Sequence, residues 1–147
     1  GLGFSKEAEV LKIIHDLGYF TIGYCFTPEE AKMVAEAGVD IIAAHVGLTA
    51  GGLIGAGTVK TLEETIKTTN ALIDAAKDVR PEFDFLPITH GGTMADPETT
   101  APVLEATEAV GYLGASSIER TPVEPAVIKV CKDFKNMPVK IPKWMKL

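Results

Sequence analysis

The chain has 147 residues, of which 46% are hydrophobic and 23% charged. That suffices for one globular domain but falls far short of the roughly 250 residues of an ordinary eight-unit α/β barrel. A formal net charge of −6 and an isoelectric point near 5.0 exclude the classes that bind nucleic acid or anionic membranes through clustered Lys and Arg. No apolar run approaches the roughly 20 residues that span a bilayer.

The elements follow one another as apolar strands and amphipathic helices. Ser5 is placed to cap a first helix carrying Val10, Leu11, Ile14 and Leu17, which Gly18 stops. Residues 19–26 read as a buried strand. Thr27-Pro28-Glu29-Glu30 then combines a cap, a first-turn proline and acidic residues favoured by the helix dipole, and this helix ends at Gly38. A strand over 39–46 follows. Residues 47–57 contain five glycines and predict a long loop rather than a regular element. Thr61-Leu62-Glu63-Glu64 opens a helix to about Val79, and 83–89 is the next strand. Asp96-Pro97-Glu98 starts another helix, with Pro102 expected near its first turn or at a kink. Residues 110–115 form the last strand and 122–134 the closing helix.

This order, five helices alternating with four strands, predicts an α/β fold with a parallel sheet and right-handed crossovers. Two architectures satisfy it: an arc of a (β/α)8 barrel, or an open flavodoxin-like sheet that would bind its ligand at a switch point. Either one places ligands beyond the carboxyl ends of the strands. Those ends read Ala44-His45-Val46-Gly47, Thr89-His90-Gly91-Gly92-Thr93 and Gly114-Ala115-Ser116-Ser117.

His45 and His90 at equivalent strand ends suit general acid/base groups, metal ligands or neutral hydrogen-bond donors, and a core histidine bonded to its neighbour strand is the structural alternative. His15 reads as solvated. Gly91 and Gly92 would let backbone N–H groups approach an oxyanion, with Gly114, Ser116 and Ser117 completing a phosphate cradle. A tight turn with Ser as helix cap explains the same residues without a ligand. Arg120 either pairs with a phosphate or carboxylate or bridges to Glu119 or Glu124, and Glu119 is a base, a metal ligand or a structural ion-pair partner. Gly47, Thr49 and Gly51 belong to the loop that could close over a bound substrate. The loop has no P-loop pattern, and no acidic metal constellation is evident, so metal ligands are left unassigned.

Gly1-Leu2-Gly3-Phe4, Ala44-His45-Val46-Gly47-Leu48-Thr49-Ala50-Gly51-Gly52, His90-Gly91-Gly92 and Gly114 through Arg120 resemble the phosphoenolpyruvate hydrolase-like family, also described as phosphonopyruvate hydrolase-like. The resemblance covers nearly the whole chain. It implies a TIM barrel of about twice this length, with residues 1–137 as its C-terminal half, strands five to eight, and 138–147 as a tail. Val46 and Ile118 stand where Met is common in that family, and Thr93 where Pro is common, so the pocket is expected to differ in shape. The first four strands of related barrels carry acidic Mg²⁺ ligands and the nucleophile, which places any Mg²⁺ site upstream and leaves this half inactive by itself. The opening on Gly1, inside a loop, carries the same expectation of upstream sequence.

The expected function is therefore hydrolysis of a P–O or P–C bond in a small phosphorylated or phosphonylated three-carbon keto or enol acid. A phosphometabolite-sensing, interaction or signalling domain without catalysis is the alternative. The expected partner is a small phosphorylated metabolite, with neither nucleic acid nor membrane. Cys25 and Cys131, without a CxxC pattern, are read as small hydrophobes in a reducing cytoplasm. Open strand edges and apolar helix faces predict a homo-oligomer. The locally basic run of Lys129, Lys132, Lys135, Lys140, Lys143 and Lys146 reads as a solvated helix face and tail.

Overall fold

The computed structural model describes residues 1–138. The expected tail beyond that point, with Lys140, Lys143 and Lys146, lies outside the described residues. The elements are α1 (Phe4–Asp16), β1 (Ile22–Cys25), α2 (Pro28–Glu36), β2 (Ile41–His45), α3 (Leu62–Val79), β3 (Leu86–His90), α4 (Pro97–Glu105), β4 (Gly111–Tyr112), α5 (Ser116–Glu119) and α6 (Val123–Lys135).

Side-chain caps set three of the six described helix starts. Thr27 with Glu30, Thr61 with Glu64 and Asp96 with Thr99 each form a reciprocal capping box, which satisfies amides that the first turn leaves without partners. The first helix departs from expectation. Its cap is Gly3, which has no side chain to offer, and Ser5 lies inside the helix. Pro102 sits in the second turn of α4 rather than the first, where its missing N–H costs one bond while its carbonyl still accepts from Ala106. The strands are shorter than the apolar runs that predict them, and Ser116–Glu119 forms a short helix not anticipated from the sequence.

All four strands are parallel and pair in chain order, β1-β2-β3-β4. The order never reverses among the described strands, so the switch point that a flavodoxin-like sheet needs is absent from them. The helices α1 to α4 pack successively on one another, most extensively α2 on α3. Cys25, Ile42 and Ala44 point into the core between sheet and helices, where they meet Val34, Ala35, Leu72 and Ala76. Gly23 lies on the same side, and a Cβ there would come within 2.6 Å of Val34 Cγ1. The buried hydroxyls of Thr69 on α3 and Thr89 on β3 satisfy each other at 3.3 Å.

Strand periodicity of two sends Ile22, Tyr24, Ala43, His45, Ile88 and His90 to the opposite face. On that face Ile22 and Leu86 are 43% and 50% exposed, whereas Ala43 is buried. No described helix is long and apolar enough to cross a membrane.

Candidate functional site

Register brings the two strand-end histidines together. His45 on β2 pairs with His90 on β3, and their ring centroids are 4.7 Å apart at an interplanar angle of 66°. Tyr24, one strand over on β1, lies 5.4 Å from His45 and 5.2 Å from His90, and Phe26 packs on His45 at 4.6 Å. Tyr24 and Phe26 escaped the sequence reading because the stretch Ile22-Gly23-Tyr24-Cys25-Phe26 reads as a buried apolar strand and the Thr27 that follows reads as a helix cap. Their one signal is an aromatic residue at the end of a parallel strand. Burial raises the Tyr24 hydroxyl pKa, with a smaller contribution from Tyr112.

The backbone determines the chemistry of both rings. His90 Nδ1 lies 2.6 Å from the Leu113 carbonyl, which can only accept, so this nitrogen carries a proton. His45 Nδ1 instead accepts the Gly47 N–H at 3.2 Å and carries a lone pair. Burial lowers the His45 pKa, and the neighbouring His90 lowers it further. His90 itself is buried, at 8% exposure.

The glycines between these ends serve close packing. The Gly92 N–H donates to the Gly47 carbonyl at 2.9 Å, and Val46 and Ala50 donate to the carbonyls of His90 and Gly92. Gly91 has φ +84°, and a Cβ on it would run into the Gly47 carbonyl. The two strand ends are thus zipped together, and the Gly92 amide expected for an oxyanion is engaged by Gly47.

At the β4 end, Tyr112 Oη donates to the Met94 carbonyl at 2.7 Å, so the Ser117 hydroxyl, 2.9 Å away, must donate to Tyr112. Gly114 packs under the Ile118 side chain, where an added Cβ would lie 2.6 Å from Cδ1 and make that exposed side chain shift. Ser116 and Ser117 occupy the first turn of α5, where backbone amides have no intrahelical acceptor. Glu119 is exposed. Arg120 takes its second predicted option: it pairs with Glu124 at 3.1 Å and also donates to the Gly51 carbonyl. Glu124 in turn accepts the Leu53 N–H at 2.7 Å, and this bond, with Arg120, lowers its pKa. Thr49 is buried, with its carbonyl bonded to Ala56. The loop over 47–57 is therefore fastened at both the β3 end and α6.

Among the described residues no cluster of three or more His, Cys, Asp or Glu side chains could hold a metal, so these residues do not fit a Mg²⁺ centre. His15, read as solvated, instead packs its ring against Gly38 and faces Asp40 at 3.6 Å, at the opposite end of the sheet. Cys25 is buried as expected, but Cys131 is exposed.

Residues 1–137 match the family described as phosphoenolpyruvate hydrolase-like. The chain is 43% identical over 138 residues to the ToMV susceptible protein tm-1(GCR26) of Solanum lycopersicum, covering 93% of this chain and 18% of that protein. It is 31% identical over 137 residues to the Sinorhizobium fredii protein named "Putative transcriptional regulatory protein y4pA", covering 93% of this chain and 22% of that one. The chain thus spans about a fifth of the length of these relatives. A FabK (M276A) mutant from Thermotoga maritima is similar in backbone at a TM-score of 0.46 and 26% identity, over 76% of this chain and 33% of that one.

Proposed function

The chain belongs to the phosphoenolpyruvate hydrolase-like family, and from that premise we propose that it is the ligand-holding half of a (β/α)8 barrel, strands five to eight. Its ligand is a small phosphorylated or phosphonylated keto or enol acid bound beyond the strand ends. The observation that carries this reading is the meeting of His45 and His90 at one register position, beside the β4 end. Two titratable rings in contact at the carboxyl ends of adjacent parallel strands occupy the place where barrels build their sites.

The first-turn amides of Ser116 and Ser117 are the phosphate donors in this reading, and the histidines transfer protons. Arg120 contributes by holding the loop rather than by meeting phosphate, as long as its bonds to Glu124 and Gly51 persist. Any Mg²⁺ ligands come from outside this chain.

The test is phosphorus NMR of phosphoenolpyruvate and phosphonopyruvate, with and without Mg²⁺, on the full protein that carries this chain. Inorganic phosphate released by the wild type and not by His90→Ala supports a hydrolase. Absence of both turnover and line broadening with either ligand overturns the reading. Saturable broadening without turnover supports the second reading, a phosphometabolite-sensing domain, which the regulatory name of the 31% identical relative favours.

A further inference from the structure

We propose that His45 and His90 are fixed by the backbone in opposite tautomers, so that together they present one N–H and one lone pair to an enolisable α-keto acid. The inference deepens the proposed function and rests on it for the substrate class. Its observations are independent of any phosphate contact.

The Leu113 carbonyl holds the His90 proton on Nδ1, which leaves Nε2 as the free, basic nitrogen of the neutral ring. The Gly47 N–H, bonded to His45 Nδ1, excludes a proton there and places it on Nε2 in the neutral ring. Two adjacent imidazoles left to themselves would offer like groups. Here the strand-end backbone makes them unlike. The rings meet edge to face at 4.7 Å, and burial, then the neighbouring His90, disfavour the charged form of the His45 ring. Tyr24, against both rings, is the other titratable side chain of the cluster. The face they occupy also carries the exposed Ile22 and Leu86.

An acceptor beside a donor matches proton transfer next to a carbonyl. His90 Nε2 takes a proton from the carbon α to the keto group, and the C–H pair forms the C=C bond of the enolate. The negative charge moves to the former carbonyl oxygen, which the His45 Nε2–H stabilises. In the opposite direction protonated His90 returns the proton to the enolate carbon. That step is required whenever cleavage of a P–C bond β to a ketone, or of an enol phosphate, leaves a three-carbon enolate or enol. Protons and electrons balance without a redox partner.

The first arm of the test is nitrogen-15 NMR of the histidine rings in the full protein. The expected spectrum assigns Nε2–H to His45 and Nδ1–H to His90, and the same tautomer in both rings overturns the proposal. The second arm follows exchange of the pyruvate methyl protons for deuterium in D₂O by proton NMR, a reaction that needs no phosphate. Wild type is expected to exchange above background. His90→Asn keeps a donor for Leu113 but lacks the basic nitrogen, and exchange should fall about a hundredfold. His45→Gln retains an N–H donor and should keep more activity than His45→Phe. Opposite tautomers without catalysed exchange, or equal loss in His45→Gln and His45→Phe, overturn it. Phosphate release without methyl exchange sinks the pair but leaves the hydrolase reading standing, whereas exchange without phosphate release upholds the pair and counts against hydrolysis.

Discussion

Arg120 and Glu124, one helical turn apart, close on each other at 3.1 Å over the glycine-rich loop, and both side chains are less than one-fifth exposed. Arg120 donates to the Gly51 carbonyl and Glu124 accepts from the Leu53 amide, so one ion pair satisfies a donor and an acceptor of a segment that has no regular structure. Glu124→Ala should leave the Leu53 amide without its acceptor. Hydrogen exchange at Leu53 is then expected to rise by roughly tenfold or more, as for loss of a charge-assisted bond. Unchanged protection would show that the loop is held by its tether to β3 alone.

Gly23 faces Val34 too closely to carry a side chain, with the added Cβ only 2.6 Å from a Val34 methyl. Gly23→Ala is expected to cost about 1–3 kcal/mol by overpacking. Combining it with Val34→Ala should cost less than the sum of the two single changes, because the second removes the clashing methyl. Urea unfolding of the four proteins measures the coupling, and strict additivity would mean that the helix shifts instead.

The two thiols should differ sharply. Burial pushes the Cys25 thiol up to about 12 from 9.0, with a smaller contribution from Glu30. Cys131 is exposed. Near pH 8, iodoacetamide should modify Cys131 in the folded protein while Cys25 reacts only on unfolding, as read by peptide mass spectrometry. Because its folded pKa is raised, the contribution of Cys25 to stability is present below pH 9.0 and declines as pH rises toward 12. Equal labelling rates would contradict the buried placement.

His45 gives stability the opposite slope. Its folded pKa lies below the ordinary 6.5 because burial, and then His90, oppose the charged ring. Below pH 6.5 the unfolded chain takes up a proton that the folded chain resists, so this contribution is present above 6.5 and is lost as pH falls toward the depressed value. Carboxylates such as Asp40, lowered chiefly by the Thr21 amide, act in a more acidic window. Thermal unfolding between pH 7 and 5 should therefore flatten in His45→Phe, while an unchanged slope would assign the acid sensitivity elsewhere.

The alternation of elements was legible because capping boxes and helix-period apolar stripes are local. Thr27 with Glu30 and Thr61 with Glu64 need only three residues of spacing to form. Ser5 misled because capping depends on where the backbone turns, and that turn is at Gly3. The ends of β2, β3 and β4 could be picked out as polar among apolar runs. Tyr24 could not, since an aromatic residue in an apolar strand looks like core until the face it occupies is known.

The sequence by itself determined the α/β class, the family and the residues that stand at the strand ends, because periodicity, caps and motifs are properties of short segments. Only the tertiary structure decided what those residues can do. It drew Arg120 to Glu124 and the loop, engaged the Gly92 amide and the Ser117 hydroxyl, and set unlike backbone partners on the His45 and His90 rings. Such partnerships depend on strand order and register between distant segments. A hydrogen bond either forms or fails over less than one ångström, a precision that residue type and spacing do not encode.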